Sequence, residues 1–290
     1  MGNADLLVEV EEKKVPVVLD VLRADGNWPF SFLMHQLIKL MQEFKKSTYC
    51  NFKQRLLLVG KTIDEGTIIV LTSFKGNSTG TTYVHIYSCG DDTSDIAAAL
   101  QNPAVPWDKD QVIFDVVYGG VRPFVLEALK GRGIKYTEAT NSLYWINPEE
   151  EHKLDERNPP SDVTILFLNE GHAKEINEKW SLKFLDSENM IKDCILTSFG
   201  MGVVRKSDRK LLSHGLCNHA GAIFILHTDP AERRKGYASL LITNIIRETI
   251  KRQRTPIAII DNKNSSSESL FKKFNFVPFI PTKYYAVTKT

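Results

Sequence analysis

The stretch HTDPAERRKGYASLLITNII, residues 227–246, sets three consecutive basic residues and a glycine between an apolar run and an amphipathic helical pattern. The run before it, AIFILHT (222–228), reads as a buried strand. Asp229-Pro230 ends that strand, because proline has no N–H to give to a ladder. A helix then opens at Gly236. The first backbone N–H groups of a helix have no partner within it, and its dipole is positive at that end. Such a terminus binds phosphate groups. Gly236 has no side chain to hold a ligand off the backbone, and Ala238 has a small one. Arg233 and Lys235 add positive charge, and Arg234 can give paired hydrogen bonds. The turn therefore reads as a pyrophosphate cradle. It contains neither GxxxxGK[ST] nor GxGxxG, so it is neither a Walker loop nor a dinucleotide fingerprint.

The 290 residues are enough for two domains with a sizeable core. A formal net charge of +2 is too small for a polyanionic partner over the whole surface, so no nucleic-acid partner is expected. RKSDRK (205–210) reads as a solvated hairpin tip, and KRQR (251–254) closes a helix against its dipole. Cys50, Cys89, Cys194 and Cys217 form no CxxC pair and read as free thiols in a reducing compartment. No apolar run approaches the ~18 residues of a membrane span. The opening MGNADLLVEVEEKK lacks the character of a presequence, and Leu6 stands where a myristoylation site wants Ser or Thr. The expected location is cytoplasmic, the expected state monomeric, and no membrane partner is expected.

Along the first half, a possible strand precedes a helix over 28–46, with Phe32, Leu33, Leu37, Leu40, Met41 and Phe44 at helical spacing. Strands follow at 54–60, 67–74 and 82–88, the last two joined by the turn GNSTG (76–80). A helix over 93–100, the strand VIFDVVY and a helix from Pro123 come next. The charged, proline-containing stretch 147–162 reads as inter-domain. The second half gives a strand at 163–168, helices at 172–181 and 186–197, and strands at 198–206, 211–217 and 221–227. A helix over 236–253, a strand at 257–260, a helix over 265–274 and a strand pair at 276–279 and 284–287 complete it. VVYGGVRPFVLEALKGRGIKY…NSLYWI echoes AIIDNKNSSSESLFKKFNFVPF…KYYAV, as though the first half were a degenerate copy of the second.

Three stretches carry a family resemblance. The turn Arg233-Arg234-Lys235-Gly236-Tyr237-Ala238 resembles the acyl-CoA motif [R/Q]-x-x-G-x-[G/A] of the GCN5-related N-acetyltransferase (GNAT) superfamily. The run Asn264–Phe276 resembles the superfamily's Asn-x-x-[S/A]-x-x-[L/F]-Tyr-x-x-x-Gly-Phe segment at its asparagine, its small residue and its final phenylalanine. Phe271 and Asn275 stand where that pattern has tyrosine and glycine. EGHAKEINEKW (170–180) is similar to the His-Ala-x-x-(Val/Ile)-Asn-x-x-Trp segment of the glycine N-acyltransferase-like family. The resemblance covers 163–290 well and the first half loosely. It implies an α/β (α+β) fold, a mixed, mostly antiparallel sheet flanked by helices, in two tandem GNAT-like domains: 1–150 degenerate, 151–162 linking, and 163–290 binding acyl-CoA.

The implied reaction is acyl transfer from a CoA thioester, acetyl or a larger aliphatic or aromatic acyl, to the amine of a small molecule or amino acid, with glycine as one candidate. Phe224, Ile225, Leu226 and His227 would offer an exposed strand edge to the pantetheine arm, opened by a splay from strand 257–260. A backbone N–H there would stabilise the developing oxyanion. Backbone groups of Arg233–Ala238 and the Arg234 side chain would hold the pyrophosphate, and Asn264 would anchor the arm. The amine must lose a proton, which calls for a base. The family's glutamate base corresponds to Ala222, and the superfamily's acid tyrosine to Phe271; neither can do that work. His219, His227, Asp229 and Glu232 are the nearest replacements for the base. His227 is the best of them by its ordinary pKa near ~6.5. Tyr284 or Tyr285 would supply the acid, only one of them facing the cleft. The alternatives are an acyl-CoA-binding regulatory protein that has lost the chemistry, and a protein N-acetyltransferase. The resemblance also raises a mitochondrial location. No metal is expected: His214 and His219 in SHGLCNH (213–219) lie at odd spacing, on opposite faces of a strand. Trp180, Phe184, Phe30 and Phe32 read as core.

Overall fold

A computed structural model describes residues 7–24, 30–45, 52–60, 62–74, 81–89, 94–107, 111–147, 149–150, 154, 158–184 and 186–288. The GNSTG turn, Cys50 and part of the expected linker lie outside them. The chain divides into two compact units: Met1–Asn141 with Ile280–Thr290, and Ser142–Phe279. Relative to the expected division at 150 and 163, residues 142–162 group with the second unit and 280–290 with the first.

The first unit begins with strand β1 (Leu7–Glu9) and helices α1 (Val15–Ala24) and α2 (Phe30–Lys45). Strands β2 (Phe52–Val59), β3 (Thr67–Phe74) and β4 (Thr82–Ser88) follow, then α3 (Ser94–Gln101), β5 (Gln111–Val117), α4 (Arg122–Gly131) and β6 (Tyr136–Trp145). The second unit repeats that order. It runs β7 (Val163–Phe167), α5 (Ala173–Lys179), α6 (Ser187–Thr197), β8 (Phe199–Arg205), β9 (Leu211–Cys217), β10 (Ala222–Thr228), α7 (Tyr237–Lys251), β11 (Ile257–Asp261), α8 (Ser265–Lys272) and β12 (Val277–Thr288). The echo between the halves is thus a repeat of strand, two helices, three strands, helix, strand, helix, strand. The unit boundary falls within β6 and within β12.

In the first unit β1 to β4 form an antiparallel meander, β5 joins β4 in parallel, and the end of β12 lies antiparallel to β5. The expected strand pair at 276–279 and 284–287 is one continuous strand whose later part serves this unit. The helix α1 was not legible as one. Its VPVVLDVLRA is rich in β-branched residues, which favour strands. Yet Val15, Val18 and Leu22 are buried one below another, and Pro16 sits in the first turn, where its missing N–H costs nothing.

In the second unit β7, β8, β9 and β10 are antiparallel neighbours, and β11 joins β10 in parallel. Tyr237, Leu240, Leu241, Ile245 and Ile246 recur every three to four residues along α7 and are buried on the sheet with Val203, Leu212 and Ile223. Tyr144, Ile146 and Leu154 join that core, which is why the segment before β7 belongs here. Cys194 and Cys217 are buried free thiols. Burial pushes Cys217 up to about 12 and Cys194 further still, so neither is reactive. No helix among the described residues is long and apolar enough to cross a membrane.

Candidate functional site

β10 begins in a tight turn. The Asn218 side-chain oxygen accepts the backbone N–H groups of Ala220 (3.0 Å) and Ala222 (2.9 Å), and Gly221 takes φ +78°. Its partner on one side is β9, with Phe224 opposite Leu216 and His227 opposite His214. Between those pairs β10 advances three residues and β9 only two, so β10 carries one extra residue. That is a β-bulge, and Ile225 takes φ +47° within it. On the other side the ladder with β11 covers Ala222↔Ile257 and Ile223↔Ala258. The β11 ladder ends at Ile223, ahead of the bulge, while the pairing with β9 continues at Phe224, His227 and Thr228. The expected splay is therefore present, and it offers one edge of Phe224–Thr228 to an extended ligand. Leu226 turns away from the α5 side: a Cβ on Gly215 would lie 3.2 Å from its Cδ1 and 2.9 Å from the Cδ1 of Ile245 on α7.

The turn that follows is stiffened from several directions. Asp229 caps the single 3-10 turn Pro230–Glu232 by accepting the N–H of Ala231 at 3.1 Å, and its carboxylate pairs with Lys210 at 3.0 Å. Arg233 donates through Nε to the Thr228 carbonyl at 3.3 Å. Arg234 takes φ +67° and Gly236 φ +84°, the second at the position that opens α7. No side chain among the described residues caps α7, so the N–H groups of its first turn remain for a ligand. Gly236 has open space around it; a side chain there meets nothing within 4 Å, and the cost of one would be conformational. These features fit a pyrophosphate.

The basic residues of the turn are not equivalent. Glu232 is buried and accepts from Arg205 Nη2 at 2.6 Å and from Lys235 Nζ at 2.8 Å. Its hydrogen bond from Lys235 holds its carboxyl below the usual range. Arg234 is exposed. Asp229 is likewise held low, first by its bond from Lys210. Neither carboxylate is a ready proton acceptor, because the cationic partner of each already stabilises its negative charge.

His227 is half-buried, and its imidazole pKa is lowered first by burial and then by Lys179 and Arg233, against the pull of Asp229. Its ring stacks on that of His214, centroids 5.4 Å apart and planes at 26°. Lys179, on α5, donates to Glu175 at 2.7 Å and to the Leu211 carbonyl at 3.3 Å. Nothing in the local sequence links Lys179 or His214 to His227, because the three are brought together by strand pairing and helix packing. His219 is buried. Ala222 is fully buried, and Phe271 packs edge-on against Phe276 at 5.0 Å.

The other proposed residues are placed as follows. Tyr237 is buried under α7 as a core residue, and Ala238 lies in that helix's first turn. Asn264 is the N-cap of α8, its side-chain oxygen accepting the Ser267 N–H at 3.0 Å. Tyr284 falls in the first unit, with its phenol pushed up by burial and then by Asp115. Tyr285, in the same unit, is fully buried and takes a bond from Arg122 Nε at 2.9 Å. In HAKEINEKW the matching side chains are structural. His172 closes a capping box with Asn169, Ala173 and Ile176 are buried, and Asn177 accepts from Ser187 on α6.

The family model for FR47-like proteins matches residues 200–285. No curated protein matches this chain. Among solved structures, a Drosophila protein is 17% identical over 98% of this chain and 99% of its own, with a TM-score of 0.83. A tandem GNAT protein from the clavulanic acid biosynthesis pathway is 10% identical over 97% of this chain and 98% of its own, with a TM-score of 0.58. A GCN5-related N-acetyltransferase from Kribbella flavida is 10% identical over 86% of this chain and 93% of its own, with a TM-score of 0.51. At these identities the likeness establishes the fold: two GNAT-like units in tandem.

Proposed function

We propose that the chain is an acyl-CoA-dependent N-acyltransferase, carrying an acyl group from the CoA thioester to the amine of a small molecule or amino acid. The observation that carries the reading is the combination of the bulged, splayed β10 with the uncapped N-terminus of α7 at Gly236. The pantetheine arm pairs with the open edge of Phe224–Thr228, and the pyrophosphate sits on the N–H groups beginning at Tyr237, with Arg234 beside it. A backbone N–H on the open edge polarises the thioester carbonyl. The amine lone pair attacks that carbon, the C–N bond forms and the C–S bond breaks. His227 takes the amine's proton, and the thiolate leaves to be protonated by solvent. The acceptor is a small amine, with neither nucleic acid nor membrane as partner.

The second reading is an acyl-CoA-binding protein without the chemistry. Buried Ala222 and Phe271, at the positions of the family's base and the superfamily's acid, favour it. Free-thiol release from acetyl-CoA and benzoyl-CoA, each with glycine, glutamine and polyamines, separates the two. Amine-dependent release lost in Gly236→Glu supports the transferase. CoA binding without release, abolished by the same substitution, supports the second reading. Wild-type protein that neither binds nor releases CoA overturns both.

A further inference from the structure

We infer that His214 is a positioning residue for His227: its buried ring, stacked on His227 from the paired strand, fixes the plane of that imidazole and seals one face of it from water. The inference rests on the acyl-transfer reading, in which His227 takes the amine's proton.

His214 and His227 are direct register partners on β9 and β10, so their side chains rise from the same face of the sheet. The backbone of His227 is tied separately: Ser213 Oγ donates to its carbonyl at 2.8 Å. Only the ring is then left to be oriented, and the contact that orients it is the stack, 5.4 Å between centroids at 26°. His214 is 1% exposed, and its Nε2 has no hydrogen-bond partner among the described residues. A buried polar atom left unsatisfied costs stability. A phenyl ring, slightly larger, keeps a flat partner for the stack and removes the unpaired nitrogen, which allows the two to be tested apart.

The groups facing His227 are His214 from β9, Lys179 with its partner Glu175 from α5, and Arg233 and Asp229 with its partner Lys210 from the turn. His214 itself is pushed down to about 3, first by burial, so it stays neutral and does not compete for the proton. The pair therefore acts as one titrating ring on a neutral platform. The odd spacing of His214 and His219 argued against a metal site; the partner His214 does have lies thirteen residues on, across the strand pair.

The experiment compares His214→Ala and His214→Phe by kcat and KM across pH, and by NMR titration of the His227 imidazole. His214→Ala should lower kcat roughly tenfold, a modest share of what general-base catalysis supplies, with KM for acyl-CoA within about twofold. Its acid limb and the His227 titration should both move up toward the ordinary imidazole value of about 6.5. His214→Phe should keep kcat and the acid limb close to wild type and melt at a higher temperature. A folded His214→Ala with unchanged kcat, acid limb and His227 titration overturns the inference. So does a His214→Phe that folds and loses activity as severely as a His227 variant, since the stack would then not be what matters. If no amine is acylated by wild type, the transferase reading fails on its own, and the His227 titration still decides the role of His214.

Discussion

Glu232 and Lys235 face each other across one turn of chain at 2.8 Å, the carboxylate buried and the ammonium at the surface. With Arg205 on its other oxygen, Glu232 is the anchor of the turn rather than a base within it. Its folded pKa lies below its ordinary value, so the stability it contributes is present above the unfolded pKa and is lost as pH falls through the folded one. Glu232→Gln should therefore lower the melting temperature at neutral pH. The gap to wild type should close as the pH is taken below the carboxylate range. Thermal unfolding of both proteins from acid to neutral pH checks this, and a gap that persists at the acid end would refute it.

Gly236 separates two kinds of damage. Gly236→Ala should cost about 1 kcal/mol of stability, because φ +84° strains any side chain while no neighbour obstructs one. Gly236→Glu carries the same strain and, under the acyl-CoA reading, adds a negative charge where the phosphates would sit. Calorimetric titration with CoA should show a modest loss for the first and no binding for the second.

His227→Gln removes the proton acceptor and keeps a polar side chain. Under the transferase reading, kcat/KM should fall by about 10²- to 10⁴-fold while CoA affinity holds. Because burial and then Lys179 and Arg233 lower the His227 pKa, the wild-type acid limb should fall below the ordinary imidazole value, with activity persisting in mildly acidic buffer. A wild-type profile with no acid limb would remove His227 from this role.

Gly215 admits Leu226 and Ile245 to the space beneath β10. Gly215→Ala places a Cβ 2.9 Å from Ile245 and 3.2 Å from Leu226, which should cost about 1–3 kcal/mol as the neighbours give way. Leu226 lies on the strand that would carry the pantetheine arm, so CoA affinity should weaken in the same variant. Denaturant unfolding and CoA titration measure the two effects separately.

One CoA should bind per chain. The second unit opens α7 after Arg233-Arg234-Lys235-Gly236, whereas in the first unit the equivalent helix, α3, follows Gly90-Asp91-Asp92-Thr93 in the sequence and has Asp95 in its first turn. Negative charge there opposes a phosphate. A titration stoichiometry of two would contradict this.

The start of α7 was legible because a left-handed backbone narrows the choice of residue, and Gly236 takes φ +84° where the helix opens. The partners within it were not. Arg205 reaches Glu232 from 27 residues away, and His214 meets His227 only through strand register, which a local pattern does not contain. The elements of the second half followed from periodicity, since α7 and its flanking strands bury whole faces. The unit boundary did not, because a run of apolar residues at 284–287 says that a strand exists and nothing about which sheet takes it. HAKEINEKW shows the opposite case, a recognisable segment whose matching side chains cap and pack rather than react.

Residues 280–288 close the first unit, although they are made only after all of the second. The first unit therefore lacks the strand that pairs with β5 until the residues of the second have been made. Removing residues 280–288 should unfold the first unit before the second, and the slow step of refolding should be this long-range strand pairing, because the loop it closes, from Val117 to Lys283, is more than half of the polypeptide.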